Sequence, residues 1–364
     1  MTEDLPFWVA LNHVRGIGPT RFQRLLEAFG SAAVAWCAPS GALREAVGEK
    51  LAEQIVAARA KIAPEKLYDS ILQEGIQVIP LPDPRYPPLL RYVKRPPFLL
   101  YVEGSFSFPD WEKYLAIVGT RRPTPYGLKV ARLFARELAR EGWVIVSGLA
   151  IGIDGEAQQS VVEEGYPTIA VLGSGLRCVY PKAHLSLARD IVDKGGALVS
   201  EYPPLEGPRP EHFPLRNRII AGLSLGVLVI EAPRKSGALI TADFALEAGR
   251  EVMAIPGPIF SPQSEGTNAL IAQGAKLVQD VSDVLETFGF FPSRVGETSK
   301  SERELVPLSA KEEELLSFID YTGVFIEELL EKTGWSEGEF FQALLTLEVK
   351  GLVEELPGGR VARR

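Results

Sequence analysis

The chain carries two cysteines, Cys37 and Cys178, and they lie far apart. That excludes a Cys-x-x-Cys pair and a cysteine zinc site. Histidine is almost as scarce, with His13, His184 and His212 the three in the chain. A histidine-rich metal centre and a histidine-based triad are therefore set aside, and no metal or cofactor is expected. Paired carboxylates at catalytic spacing and a Walker lysine are also missing. No apolar run approaches the roughly 18 residues of a membrane span. The opening Met1-Thr-Glu-Asp-Leu5 has neither a basic nor an apolar stretch, so it does not read as a signal peptide.

What is present suits a soluble, globular chain with a sizeable core. The 364 residues are 46% hydrophobic and 24% charged, with a mean hydropathy of +0.06. That length implies about two to three domains. The net charge is -8, which taken whole argues against a nucleic-acid partner. Its distribution changes that reading. Residues 302–364 hold 14 acids against 7 bases, and the rest of the chain holds 33 against 32. The body is nearly neutral, and the acidity belongs to the tail.

Residues 1–66 alternate helical patterns with short breaks. Residues 67 to about 108 are rich in proline, from Pro80 to Pro97. They read as extended chain laid over a domain, because Leu89, Leu90 and Phe98–Tyr101 need burial. From 112 to 287, short apolar strands alternate with helical patterns. The strands are Leu115–Val118, Trp143–Ser147, Thr168–Leu172, Ala197–Ser200, Gly226–Glu231 and Glu251–Ile255. Continuous apolar strands between helices predict a mainly parallel sheet covered on both faces. Right-handed crossovers then bring every post-strand loop to one edge, where ligands bind in such folds. Residues 288–307 read as a polar linker, and 308–364 as a compact helical unit.

Four post-strand loops carry the chemistry. They are Gly119-Thr120-Arg121, Ser147-Gly148-Leu149-Ala150, Gly173-Ser174-Gly175 and Glu231-Ala-Pro-Arg-Lys-Ser-Gly237. Glycines allow tight turns and a close approach of backbone N–H groups to an anion, and helix N-termini behind them add positive potential. Arg121, Arg122, Lys182, Arg216 and Arg218 are candidate cations on the same rim. Turn-making alone is the competing reading of the glycines, and a solvated charge that of each arginine. The set suits phosphates but not a dinucleotide, since Arg121 replaces the second glycine of G-x-G-x-x-G and Cys178 the third after Gly173. Asp154 reads as ordering its own loop and Glu231 as accepting a hydrogen bond, rather than as acid–base groups.

These strings, in this order, resemble the DNA-processing protein A family, also called Smf. The matches run from Ala116-Ile-Val-Gly-Thr-Arg121 through Val146-Ser-Gly-Leu-Ala-Ile-Gly-Ile-Asp-Gly155 and Ile169-Ala-Val-Leu-Gly-Ser-Gly175. They continue through Phe213-Pro-Leu-Arg-Asn-Arg218 and Ser236-Gly-Ala-Leu-Ile-Thr-Ala242 to Ile255-Pro-Gly257. The chain departs from the family at Gln158, where the family usually carries histidine. The resemblance implies a cytoplasmic, homodimeric, non-enzymatic protein of natural transformation. It would bind and protect incoming single-stranded DNA, displace single-strand-binding protein and load the RecA recombinase. The implied fold is an extended Rossmann-like sheet. The implied phosphate pocket falls on Gly119, Thr120 and Arg121, and on Arg216, Asn217 and Arg218; Lys182, just after Tyr180-Pro181, is our own candidate for a third contact. Phe213, Tyr180 and Tyr202 are candidate stacking groups, with core packing the competing reading.

The flanks add two modules. Leu11–Leu26 resembles a helix-hairpin-helix of a SAM-like helical domain, with Gly16-Ile17-Gly18 as the turn and Pro19 as a helix start. Its turn N–H groups with Arg15, Arg21 and Arg24 can hold a DNA phosphate, and a helical packing domain is the equal competing reading. The tail resembles a winged helix whose third helix begins with Glu337 and Glu339. Acidic side chains repel phosphates, so the tail is expected to bind protein or its own body. Micromolar, salt-sensitive duplex binding by residues 305–364 alone would overturn that expectation. The rival function is a nucleotide-processing phosphoribohydrolase, but its Pro-Gly-Gly-x-Gly-Thr run has no counterpart here.

Overall fold

The computed structural model describes residues 2–105, 113–290, 308–320, 323–356 and 359–363. Of the expected linker, residues 291–307 lie outside the described residues, as do Pro357 and Gly358 of the wing turn. The chain divides into two compact units, 1–122 with 131–281, and 123–130 with 282–364.

The first unit opens with six helices: α1 (Leu5–Asn12), α2 (Pro19–Phe29), α3 (Ala32–Cys37), α4 (Ser40–Val47), α5 (Glu49–Arg59) and α6 (Pro64–Gln73). The α1–α2 turn needs Gly16 at φ +94°, and α2 starts on Pro19, as the sequence predicts. The proline-rich stretch differs from expectation. Its start is the helix α6, and its core is two strands, β1 (Gln77–Pro80) and β2 (Leu99–Gly104), paired antiparallel. β2 pairs with the sheet beyond it, so Val78, Leu99 and Tyr101 are buried as sheet residues. Pro80 ends β1 opposite Leu99, and the other prolines from Pro82 to Pro97 fall between the two strands, where no ladder N–H is required.

The body then alternates β3 (Tyr114–Val118), α7 (Pro125–Arg140), β4 (Val144–Ser147), α8 (Ile153–Glu163), β5 (Thr168–Val171), α9 (Leu185–Asp193) and β6 (Ala197–Ser200). It continues with α10 (His212–Leu223), β7 (Gly226–Val229), α11 (Gly237–Glu247), β8 (Glu251–Ala254), α12 (Glu265–Ala272), β9 (Lys276–Leu277) and α13 (Val281–Thr287). The sheet order is β1-β2-β6-β5-β4-β3-β7-β8-β9, parallel from β6 to β9. Every residue of β3, β4, β5, β6 and β7 is buried, which is why these strands read as unbroken apolar runs. The order reverses at β3, whose neighbours are β4 and β7. That reversal opens a crevice at the carboxyl ends of these three strands.

The N-terminal helices share a core with the sheet. Phe22 of α2 stacks on Phe98 at 4.0 Å, and Trp8 of α1 lies 4.5 Å from Phe22. The Tyr101 hydroxyl donates to Asn12 Oδ1 at 2.9 Å.

The second unit contains α14 (Ala310–Phe318), β10 (Val324–Phe325), α15 (Ile326–Thr333), α16 (Glu337–Val349), β11 (Val353–Leu356) and β12 (Arg360–Arg363), with sheet order β10-β12-β11. Leu315, Leu329, Phe340 and Leu347 form its core. Glu312 and Glu339 close capping boxes with Ser309 and Ser336. Glu339 also pairs with Lys311 at 2.7 Å. The acidic start of α16 is thus partly a helix-start device. The outer face of α16 exposes Phe341 and Leu345 one turn apart.

Candidate nucleic-acid interface

The crevice holds an open pocket of about 480 Å³, lined by Thr120, Arg121, Phe213, Arg216, Asn217 and Lys235 among others. A smaller recess beside it adds Gly148, Ile151 and Tyr180. The loop after β3 is tied down by its backbone. Thr120 N–H donates to Glu231 O at 2.7 Å, and Ile153 N–H donates to Thr120 O at 3.2 Å. Gly119 is needed because an added Cβ would come 2.5 Å from Ile153 Cγ1. Arg121 projects from this fixed loop, exposed, with its guanidinium 5.7 Å from the Phe213 ring centre. Arg122 and Lys235 are also exposed on this pocket.

Two of the glycine amides that an incoming anion would need are already occupied. Asp154, in the first turn of α8, accepts from Gly119 N–H at 3.4 Å and Gly148 N–H at 3.1 Å. The protein's own buried carboxylate fills that nest, which is the loop-ordering role read from the sequence. Burial pushes the Asp154 carboxyl above its usual range, against the pull of Arg216 and of the two N–H groups.

Arg216 is not the rim cation expected. It is 4% exposed, and its Nη1 donates to Gly148 O at 2.7 Å and to Val171 O. Burial pulls its guanidinium down to about 10, and the Arg121 charge adds to that shift while Asp154 opposes it. Arg216 ties the ends of β4 and β5 together beneath the pocket. Arg218 points elsewhere. It pairs with Glu201 at 2.6 Å and lines a different cavity, together with Tyr202. Asn217 stays in the pocket, donating to Gly237 O at 3.2 Å.

The Gly173-Ser174-Gly175 loop lines neither the pocket nor the recess. Ser174 is 1% exposed and its hydroxyl donates to Cys178 O at 2.7 Å. A Cβ on Gly175 would come 2.1 Å from Pro203 O, and one on Gly173 2.9 Å from Phe213 Cδ1. These glycines allow close packing, and Gly173 seats the Phe213 ring. Phe213 is half-buried, with the exposed Tyr180 ring 5.5 Å away. Lys182 is exposed two residues beyond Tyr180. Gln263 lines the pocket with a buried Oε1 that has no partner among the described residues. Sequence reading missed it, because nothing around Pro262-Gln263 signals a site.

The fold and its appended module define the class: an extended Rossmann-type α/β protein carrying a winged helix. The family model described as DNA recombination-mediator protein A matches residues 77–289, and that of the DprA winged helix domain matches 299–359. The chain belongs to the DNA recombination-mediator protein A family, known as DprA or Smf, whose role is DNA processing in recombination. It is 34% identical to protein Smf of Synechocystis, over 98% of each chain. It is similar to the X-ray structure of DNA processing protein A from Streptococcus pneumoniae. There the identity is 36% and the TM-score 0.67, over 78% of this chain and 98% of that one. A Helicobacter pylori DNA processing protein A, described for its single-stranded DNA binding mode, is 30% identical with a TM-score of 0.52. That match covers 58% of this chain and 94% of the other.

Proposed function

We propose that this protein binds single-stranded DNA at the β3–β4–β7 crevice and acts there as a non-enzymatic recombination mediator. The observation that carries this reading is the exposed guanidinium of Arg121, which stands 5.7 Å from the Phe213 ring centre in the pocket and makes no ion pair among the described residues. With Arg122 and Lys235 exposed on the same pocket, an arriving phosphate meets positive charge from several sides. Arg121 presents a planar fork to its oxygens. Phe213 and Tyr180 offer sequence-tolerant stacking beside it. Arg122 and Lys235 continue the positive rim, and Lys182, which lines neither the pocket nor the recess, is a further candidate cation beyond Tyr180, while Gly119, Thr120, Gly148, Gly173, Ser174 and Gly175 build the frame. Arg216 and Asn217 form the floor.

The binder reading is favoured over a phosphoribohydrolase because Asp154, the carboxylate in the pocket lining, accepts two backbone N–H groups. The wider role we propose is the one the resemblance implies: protection of incoming strands, displacement of single-strand-binding protein and loading of RecA, by a cytoplasmic homodimer. No helix among the described residues is long and apolar enough to cross a membrane. The exposed Phe341 and Leu345 on α16 favour a protein contact for the tail over duplex DNA.

Gel shifts with single- and double-stranded DNA at several salt concentrations test the pocket. Arg121→Ala is expected to weaken single-strand binding roughly ten- to hundredfold, the loss of one charge-assisted contact. The log–log salt slope should become shallower by about 0.7. Lys182→Ala should lose less, since an exposed lysine acts as a point charge. Parent-like binding by both variants would sink the pocket, and release of free base from a nucleoside monophosphate would favour the enzyme.

A further inference from the structure

A second cavity of the first unit, about 440 Å³, lies between the α1–α2 turn and the start of α10. Five arginines line it (Arg15, Arg21, Arg95, Arg209 and Arg218) against two glutamates, Glu201 and Glu206. Arg218 and Arg209 are paired with those glutamates, each at 2.6 Å. Arg15 and Arg95 are exposed and make no ion pair among the described residues. Arg95 is held at φ 131°, which L side chains rarely adopt. The 11-residue helix α2 begins at this cavity on Gly18, with no side chain capping its first turn.

Two buried polar atoms of the lining residues are left without partners. One is Nη1 of Arg218, whose side chain is 11% exposed. The other is Nδ1 of His212, a residue 9% exposed that hydrogen-bonds the Gly173 backbone and stacks on Tyr202 at 3.9 Å. A buried guanidinium N–H without an acceptor is costly, and an arriving anion satisfies it. The α10 periodicity joins this cavity to the crevice. Phe213, Arg216 and Ile220 face the crevice, while His212, Leu215 and Arg218 face the cavity. The exposed Pro214 lines the crevice and the exposed Leu215 beside it lines the cavity, so the two linings meet at neighbouring residues of α10.

From these observations we infer that the cavity is a second phosphate site, which takes the backbone of the same single strand after it crosses the start of α10. The inference rests on the single-strand reading above. A phosphodiester and a free nucleotide share the phosphate chemistry, and the strand is favoured because the two lined faces belong to one helix.

The test uses the full chain and an Arg15→Ala/Arg95→Ala double variant, both positions being exposed, with Arg121→Ala alongside. Binding of dT oligonucleotides of about 4 and about 16 nucleotides is titrated over salt, the span of site sizes seen for single-strand grooves. The double variant should bind the short oligonucleotide like the parent and lose roughly tenfold on the long one. Its salt slope there should be shallower by about 1.4, two phosphates' worth. Parent-like affinity and slope at both lengths, while Arg121→Ala fails at both, would overturn the second site and leave the first intact. Parent-like binding by Arg121→Ala at both lengths would instead overturn the crevice reading. A third arm uses dTMP. If dTMP raises the melting midpoint of the parent but not of the double variant, and long-oligonucleotide binding is the same in both, the cavity belongs to a free nucleotide and the strand assignment falls.

Discussion

Arg216→Met is expected to destabilise the first unit by about 3–5 kcal/mol, the cost of breaking a buried charge network from one side. Three groups lose their counterpart together. The carbonyls of Gly148 and Val171 lose the guanidinium that donates to them. Asp154 loses the positive charge that offsets its burial. The melting midpoint should fall by roughly 6–10 °C, at about 2 °C per kcal/mol for a unit of this size. Replacing Asp154 by Asn in the same chain removes the stranded carboxylate. The double variant should therefore recover about 1–2 kcal/mol of coupling. The Arg216→Met loss should also greatly exceed any change in midpoint from Arg121→Ala, since Arg121 is exposed. Equal, small shifts for both arginines would show that Arg216 faces solvent after all.

That contrast marks where the sequence was legible and where it was not. Leu115–Val118 and its sister strands are apolar without interruption because both faces of a parallel sheet are covered. Their order along the chain was enough to locate the crevice. The arginines of α10 were not separable by type. Arg216, Asn217 and Arg218 are adjacent, and adjacency in a helix means divergence in space. The separating signal was present in the spacing. Arg216 shares a helix face with Ile219, Ile220 and Leu223, all buried, whereas Arg218 lies three residues from the exposed Leu215. The glycines were ambiguous for another reason. Whether a glycine N–H is open to a ligand depends on what else reaches it, and Asp154 arrives from a helix more than 30 residues after Gly119. Gln263 gave no local signal, because it is held in the crevice by a distant segment, its carbonyl accepting from Ala232 N–H at 2.7 Å.

Gln158→Leu is expected to cost about 2–4 kcal/mol, and Gln158→His distinctly less near neutral pH. Gln158 is fully buried in α8, and both ends of its amide are used. Its Oε1 accepts from Leu149 N–H at 3.0 Å, and its Nε2 donates to Ile169 O at 2.9 Å. Leu149 needs that hold. It sits at φ +55°, unusual for a side chain branched like leucine, and its own carbonyl is fixed by His184 Nδ1 at 2.9 Å. Leucine at 158 strands one donor and one acceptor and releases a strained residue of the loop beneath the pocket. Histidine, the residue usual in the family at this place, presents one acceptor and one donor when neutral, so it can reproduce both bonds. A protonated imidazole only donates, and it would then oppose the Leu149 N–H. Burial lowers the pKa of such a histidine below its unfolded value, so the unfolded chain binds the proton more readily. The stability of the His variant should therefore fall as pH drops below about 6.5, while the Gln parent has no titrating group at this position. Chemical denaturation of parent and both variants at about pH 5 and about pH 7.5 checks this. The amide at Gln158 thus supplies the same two bonds at every pH, and a His variant whose loss relative to the parent is equal at both pH values would show that the ring does not take them up.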